Sequence, residues 1–441
     1  MPLHHLPLDL HVQIFQYLPI DDILRLRLVS KDMCTVLSLR YIWHSAIMKA
    51  LEVVPVPQIF NNLCNMPTEA LRFEAVRSFK LEKAWRKEDS IPCSVKEIPA
   101  FHDMVYLELL PGGDWLATIA CDGSVCLQHV LEPAPRITKE GIGVSLQNMT
   151  SATSNSSKLD SLLVITGRNE TDASSHVFLY WIDTRIPCME PVLNLKLPVN
   201  ILTASAGFGV LAVGAVLGEE EFIHVMLIDE YTGKRLGRDM VIDVQLTGSM
   251  EDSTLSILSR DYLFICCSFG FSLHRIPEPE KGEEDGDPRM IQAKASWSLK
   301  LELTLVPPLS SPVLWGQARR PMAVFLLDYR ELHALNLAVL PTASHIKVPL
   351  PVQVDGDLTS LGTHRGVWWN RRSLSADRRL LQLWTEDYPV VVGSLLVPRE
   401  EDEEVEYLSL DEWSGRVCLL LRRKGEKARI LLVDSVGTSV A

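Results

Sequence analysis

The spacing of apolar residues changes along the chain and divides it into three textures. Near the start, Leu10, Ile14, Phe15 and Leu18 fall at the positions of one face of a short amphipathic helix. Pro19 ends it, because proline has no amide proton and disfavours helix at the residue before it. Asp21 is placed to cap a second helix through its carboxylate, with Asp22 favourable in the first turn. Ile23, Leu24, Leu26, Arg27, Leu28 and Val29 fill that helix, and Ser30 can cap a third that leads toward Trp43. Residues 51 to about 92 keep the helical texture. Pro55 and Pro57 interrupt it, and residues 70–85 then form helix well throughout. Leu71, Val76, Phe79 and Trp85 are expected to pack on one neighbour, which makes the stretch a linker helix.

From about residue 95 the pattern turns to short β-rich runs separated by Gly, Pro, Asp and Ser. The runs come in pairs: residues 115–121 with 125–130 across Asp122-Gly123, a hairpin signal, then 162–166 with 177–183, and 209–216 with 222–229. Further pairs are 262–268 with 271–276, 323–328 with 331–336, 366–369 with 380–384, and 415–421 with 428–434. The second runs end at intervals of roughly 46 to 60 residues, close to the about 40 to 50 of a propeller blade. Seven units result, or six if the weakly patterned sixth is discounted. The longest interval holds the charged stretch 277–288, expected as an inserted surface loop. Residues 95–98 are placed to supply the strand the last unit lacks, closing the ring and removing two exposed edges. The expected fold is therefore multidomain, α followed by all-β: a three-helix unit at 1–50, a helical linker at 51–94 and a β-propeller at 95–441.

Composition narrows the function. Hydrophobic residues make up 47% and charged residues 22%, as in a globular protein. A net charge of −13 argues against a nucleic-acid partner, which needs a basic face. The nine cysteines form no CxxC pair, so neither zinc spacing nor a disulfide framework is visible. The longest apolar run, 208–217, is too short to span a bilayer, and no signal peptide is visible. A cytoplasmic or nuclear protein is the expectation.

Candidate chemistry is sparse. Gly207-Phe208-Gly209-Val210-Leu211-Ala212 matches the dinucleotide fingerprint in letters, but valines continue it as strand where the fingerprint needs a helix. No nucleophile elbow, HExxH or P-loop occurs, and neighbouring His4 and His5 read as solvated. No catalytic, cofactor-binding or metal residue is assigned. The acidic run 400–406 is expected as a solvated loop before a strand. Trp368, Trp369, Trp384 and Trp413 read as blade core, with a recognition surface as the alternative.

The segment from Leu6-Pro7 through Ile14-Phe15, Leu18-Pro19, Asp21-Asp22-Ile23-Leu24 and Arg27-Leu28-Val29-Ser30-Lys31 to Trp43 resembles the F-box in order and spacing. Residues 113–124 and 408–418 look like the propeller portion of fungal F-box proteins, without the Gly-His and Trp-Asp dipeptides of strict repeats. The first resemblance implies docking on a Skp-type adaptor and, through it, a cullin scaffold. It implies Leu6, Pro7, Leu10, Ile14, Phe15, Leu18, Pro19, Leu24 and Val29 as the adaptor-binding set. The alternative is that some of these form the internal core of the helical unit, Leu10 and Leu26 foremost. The function implied is the substrate receptor of an SCF-type ubiquitin ligase, without chemistry of its own and with an unidentified target. A Skp-bound scaffold outside a cullin ligase is the alternative, and a propeller enzyme stands third. Two long polar stretches, 136–160 and 277–290, are the expected target-binding loops, on the side away from the F-box.

Overall fold

The computed structural model describes residues 6–53, 63–87, 89–100, 104–132, 137–139, 145–153, 160–169, 174–183, 187–217, 220–236, 239–243, 253–267, 270–276, 289–291, 295–300, 309–310, 323–328, 331–339, 342–349, 359–361, 365–369, 380–385, 390–395, 397 and 403–436. Five helices come first: α1 Leu8–Phe15, α2 Ile20–Leu26, α3 Lys31–Val36, α4 Arg40–Val53 and α5 Thr68–Trp85. Pro7 and Pro19 sit in extended conformation just ahead of α1 and α2. Pro19, rather than Asp21, is thus the N-cap of α2, and Asp21 and Asp22 occupy its first turn. A proline fits there because its missing N–H needs no partner at a helix start. Ser30 caps α3, its hydroxyl accepting from the Met33 amide at 3.1 Å. The chain then breaks, and Trp43 lies on the separate α4.

Among the described residues the strands assort into seven sheets. The first holds Met104–Leu109, Trp115–Ala120, Val125–His129 and Ile137–Lys139; the second holds Ser145–Thr153, Asp160–Arg168, Ser175–Asp183 and Cys188–Leu197. The third is built from Asn200–Gly207, Val210–Leu217, Glu220–Leu227 and Met240–Asp243, with Arg289–Ile291 added in parallel to the last. Thr254–Ser259, Tyr262–Cys267, Gly270–Arg275 and Trp297–Lys300 form the fourth. The fifth comprises Leu309–Ser310, Ala323–Asp328, Glu331–Val339 and Thr342–Pro349. Thr359–Leu361, Arg365–Trp369, Leu380–Thr385 and Val390–Leu395 make the sixth, which takes Asp89–Ser90 in parallel. The seventh contains Glu403–Asp411, Arg416–Arg423 and Arg429–Asp434, and Ser94–Ile98 completes it antiparallel, Val95 opposite Val433 and Ile98 opposite Ile430.

Apart from the two parallel additions, each sheet is antiparallel. The first strands of the sheets approach one another in turn: first with second, second with third, third with fourth, fifth with sixth, sixth with seventh and seventh with first. That radial order is propeller-like. Apolar layers fill the spaces between neighbouring sheets. Leu163 and Ile165 of the second sheet meet Ala117 and Ile119 of the first, and Leu211 and Val213 of the third meet Leu162 and Val164. The paired runs read from the sequence appear as adjacent strands in all seven sheets.

Three expectations are corrected, and a fourth lies mostly outside the described residues. The stretch 136–160 is not one loop, because Ser145–Thr153 pairs with Asp160–Arg168 along its length. The acidic run enters a strand, Glu403–Asp411, where Glu403 is buried and accepts from Arg429 Nη2 at 2.6 Å. In α5 the inward residues are Leu71, Ala75, Ser78, Leu81 and Trp85, with Val76 and Phe79 half-buried beside them. Of the stretch 277–290, only Arg289 and Met290 fall within the described residues, and they belong to a strand.

Candidate functional site: the outer flank of the helical module

Helix α1 carries two apolar stripes rather than one. His11 and Phe15, one turn apart, are its buried residues and stack with ring centroids 5.5 Å apart. Leu10, Ile14 and Tyr17 follow the same helical spacing on another side and are exposed. Phe15, at 1% exposure, joins Ile23, Met33, Leu37, Ile42, Trp43, Ile47, Leu71 and Ala75 in one core. The indole N–H of Trp43 is satisfied there by the Leu37 carbonyl at 2.9 Å.

The outer flank is apolar and uncovered. Leu28 is 87% exposed, Val29 70% and Tyr17 75%, and Leu8, Leu10, Ile14 and Tyr41 are exposed with them. So many large apolar side chains on one small module exceed the scattered exposure of an ordinary surface. Of the expected adaptor-binding residues, Pro7, Leu10, Ile14, Pro19 and Val29 are exposed and Leu6 is half-buried. Leu18 and Leu24 pack partly against the module's own core. Phe15 is removed from the set: it is a core residue, and its side chain has no surface to offer. Leu8, Tyr17 and Leu28 were missed. The signal for Tyr17 was its place seven residues after Leu10. Leu28 was counted as helix interior, whereas α2 stops at Leu26 and leaves it on the turn.

The inner flank is sealed by the propeller. Trp413, from the turn between the first two strands of the seventh sheet, enters the helical core at 6% exposure. Helix α5 bridges the two bodies, with Leu71 and Ala75 in the helical core and Leu81 and Trp85 in the core of the seventh sheet. Gly415 holds φ +69° in that turn, and a Cβ there would run into the Leu81 side chain. Arg77 of α5 donates to the Ser414 carbonyl at 3.3 Å.

The same turn gathers buried charge. The Asp411 carboxylate accepts from the amides of Ser414 at 2.8 Å and Gly112 at 3.1 Å, and its burial raises its pKa. Arg416, equally buried, donates to the Gly113 carbonyl at 2.7 Å and to Asp434 at 3.3 Å, and pairs with Asp114. Arg365 of the sixth sheet donates to the Glu412 carbonyl at 3.0 Å and lies over the Trp85 ring. One turn thus ties the first, sixth and seventh sheets to α5 and the helical core.

Chemistry elsewhere stays sparse. Gly207 to Ala212 is a tight hairpin in which Phe208 and Gly209 both take positive φ, so no helix start faces a phosphate. Among the described residues no group of three or more His, Cys, Asp or Glu could hold a metal, and no helix is long and apolar enough to cross a membrane. Trp368, Trp369 and Trp413 are buried.

Residues 3–49 match the F-box-like family model. The chain carries an F-box-like domain followed by a propeller-like body. No curated protein matches the chain. Among solved structures it is similar to the β-propeller domain of Cps50 (Swd1) from Myceliophteria thermophila. That match has a TM-score of 0.48 and 10% identity, and covers 78% of this chain and all of the other. A functionally unknown protein from Desulfotomaculum acetoxidans matches with a TM-score of 0.43 and 11% identity over 68% of this chain and 92% of that one.

Proposed function

We propose that this chain is the substrate receptor of an SCF-type ubiquitin ligase. The F-box-like module, residues 1–50, takes a Skp-type adaptor and through it the cullin. The linker at 51–94, helical over Thr68–Trp85 and extended as it joins the sheets, holds the module to a seven-bladed propeller at 95–441, which takes the target protein. The observation that carries the reading is the set of exposed large apolar residues Leu8, Leu10, Ile14, Tyr17, Leu28 and Val29 on a module whose core is closed by Trp413. An apolar face of short helices fits an apolar groove on a partner. The receptor contributes position and effective concentration, and the ligase supplies the transfer chemistry. Such a role benefits from a stiff connection, and the Asp411–Arg416 turn supplies one. The target sits on the side turned away from the module.

Reconstitution tests the reading. The full chain should co-purify with a Skp-type adaptor and, in the adaptor's presence, with a cullin. Adaptor binding without cullin would move the assignment to a scaffold outside the ligase, and no adaptor binding would end it.

A further inference from the structure

We infer that Glu331, His333 and His345 form a proton-holding lock that pins the outermost strand of the fifth sheet at neutral pH and releases it in acid. His333 Nδ1 lies 3.0 Å from His345 Nε2, the ring planes differ by 8° and the centroids are 5.2 Å apart. That centroid separation equals the nitrogen–nitrogen distance plus roughly one ring radius on each side, so the rings meet head to head in nearly one plane. A metal at the midpoint would sit half of that distance from each nitrogen, well inside the about 2.0–2.1 Å of a zinc–nitrogen bond. A proton fits the gap.

The register explains the meeting. Glu331–Val339 pairs with Thr342–Pro349 so that His333 faces Lys347 and Leu335 faces His345, which puts both imidazoles on the same side of the sheet. Glu331 Oε2 stands 3.8 Å from His333 Nε2, and Lys347 also pairs with Glu331. On the neighbouring strand, Asp328 is the residue opposite Glu331. Among the described side chains, Glu331 and Lys347 are the charged groups facing the pair.

Neutral, the two rings share one N–H between them. A first added proton settles on His333, whose Nε2 looks toward Glu331, and Nδ1–H then donates to His345 as a charge-assisted bond. A second proton has to occupy His345 Nε2, which sets two N–H groups head on. Burial, and then the Lys347 charge, already hold the His345 pKa below its ordinary value of 6.5. A depressed histidine pKa contributes stability above the unfolded value and loses it as pH falls through the folded one. Thr342–Pro349 lies outermost in its sheet, so its hold on Glu331–Val339 is what weakens.

Hydrogen exchange on the full chain tests this, following peptides over 342–349 at pH 7.5 and 5.5 after correction for intrinsic rates. Wild-type protection should fall about tenfold more in these peptides than in those of the second sheet. His345→Gln, which bonds without titrating, should abolish the difference. An equal acid loss in His345→Gln, or none in wild type, overturns the lock. Imidazole ¹⁵N shifts of the wild-type protein give a second reading that depends on no variant. The two rings should take up protons in two separated steps, and two independent titrations near the ordinary value would overturn it as well.

Discussion

The two flanks of the F-box-like module are made by the same short helices and meet opposite fates. On the inner flank Trp413 is inserted into the helical core, and the turn that carries it holds Asp411 and Arg416 in buried bonds. On the outer flank Leu28 and Val29 stand in solvent with no buried polar partner to satisfy. A buried ion pair is costly to break, because each half left alone has lost its water. The inner flank is therefore a contact made once, on folding. The outer flank is apolar and carries no such debt, so it can be exposed in one state and covered in another.

Four variants sharpen or break this contrast. Phe15→Asp has the largest expected effect, because a carboxylate unpaired in the helical core should cost on the order of 4 kcal/mol or more. The readout is proteolysis within residues 6–53 while the sheets stay protected; a fully protected module would return Phe15 to the surface. Trp413→Ala should cost about 3–5 kcal/mol by calorimetry. It should also weaken adaptor binding although it lies on the other flank. An unchanged melting temperature would mean that the module does not depend on the propeller. Leu28→Asp with Val29→Asp should leave stability within about 0.5 kcal/mol. The same double variant should cut adaptor affinity at least about tenfold by surface plasmon resonance, or 1.4 kcal/mol. Lost stability with intact binding would reverse the assignment of the flanks.

The smallest effect concerns Glu74 of α5, whose pKa is raised by burial against the pull of Arg77. A carboxyl with a raised folded pKa binds protons more tightly folded than unfolded. Its contribution thus favours folding below its ordinary value near 4.5 and is lost as pH rises through the folded value. Glu74→Gln should remove that dependence and flatten the melting temperature as pH rises from 4.5. A slope identical to wild type would mean the carboxyl is solvated.

Much of the propeller could be read from the sequence because a strand pair announces itself locally. Asp122-Gly123 marks a hairpin, and Val95 to Ile98 could be assigned to the seventh sheet because that unit was visibly one strand short. Ser145–Thr153 could not, since its polar residues lack the apolar alternation that betrays a strand. The site divided in the same way. The sequence pattern placed Leu10, Ile14, Phe15 and Leu18 on one face and Val29 inside a helix, whereas Phe15 turns into the core and Val29 stands beyond α2. Phe15 and Tyr17 are both large aromatics near one helix end, and only the packing of His11 and Trp43 decides which of them turns inward. The joint with Trp413 lies hundreds of residues away, and no local pattern reports a contact of that range.

The place of Trp413 also sets a timetable for biosynthesis. Helices α1 to α5 leave the ribosome first, but the residue that fills their core is made more than 300 residues later. At about 5–20 residues per second that gap is on the order of tens of seconds. Throughout it the nascent module has both flanks bare and depends on whatever chaperones attend it. The strand Ser94–Ile98 waits still longer, for Arg429–Asp434. Any product of premature termination before Trp413 therefore lacks a closed ring and a finished docking module together. In the proposed role, incomplete copies would fail at the step where the receptor joins its adaptor.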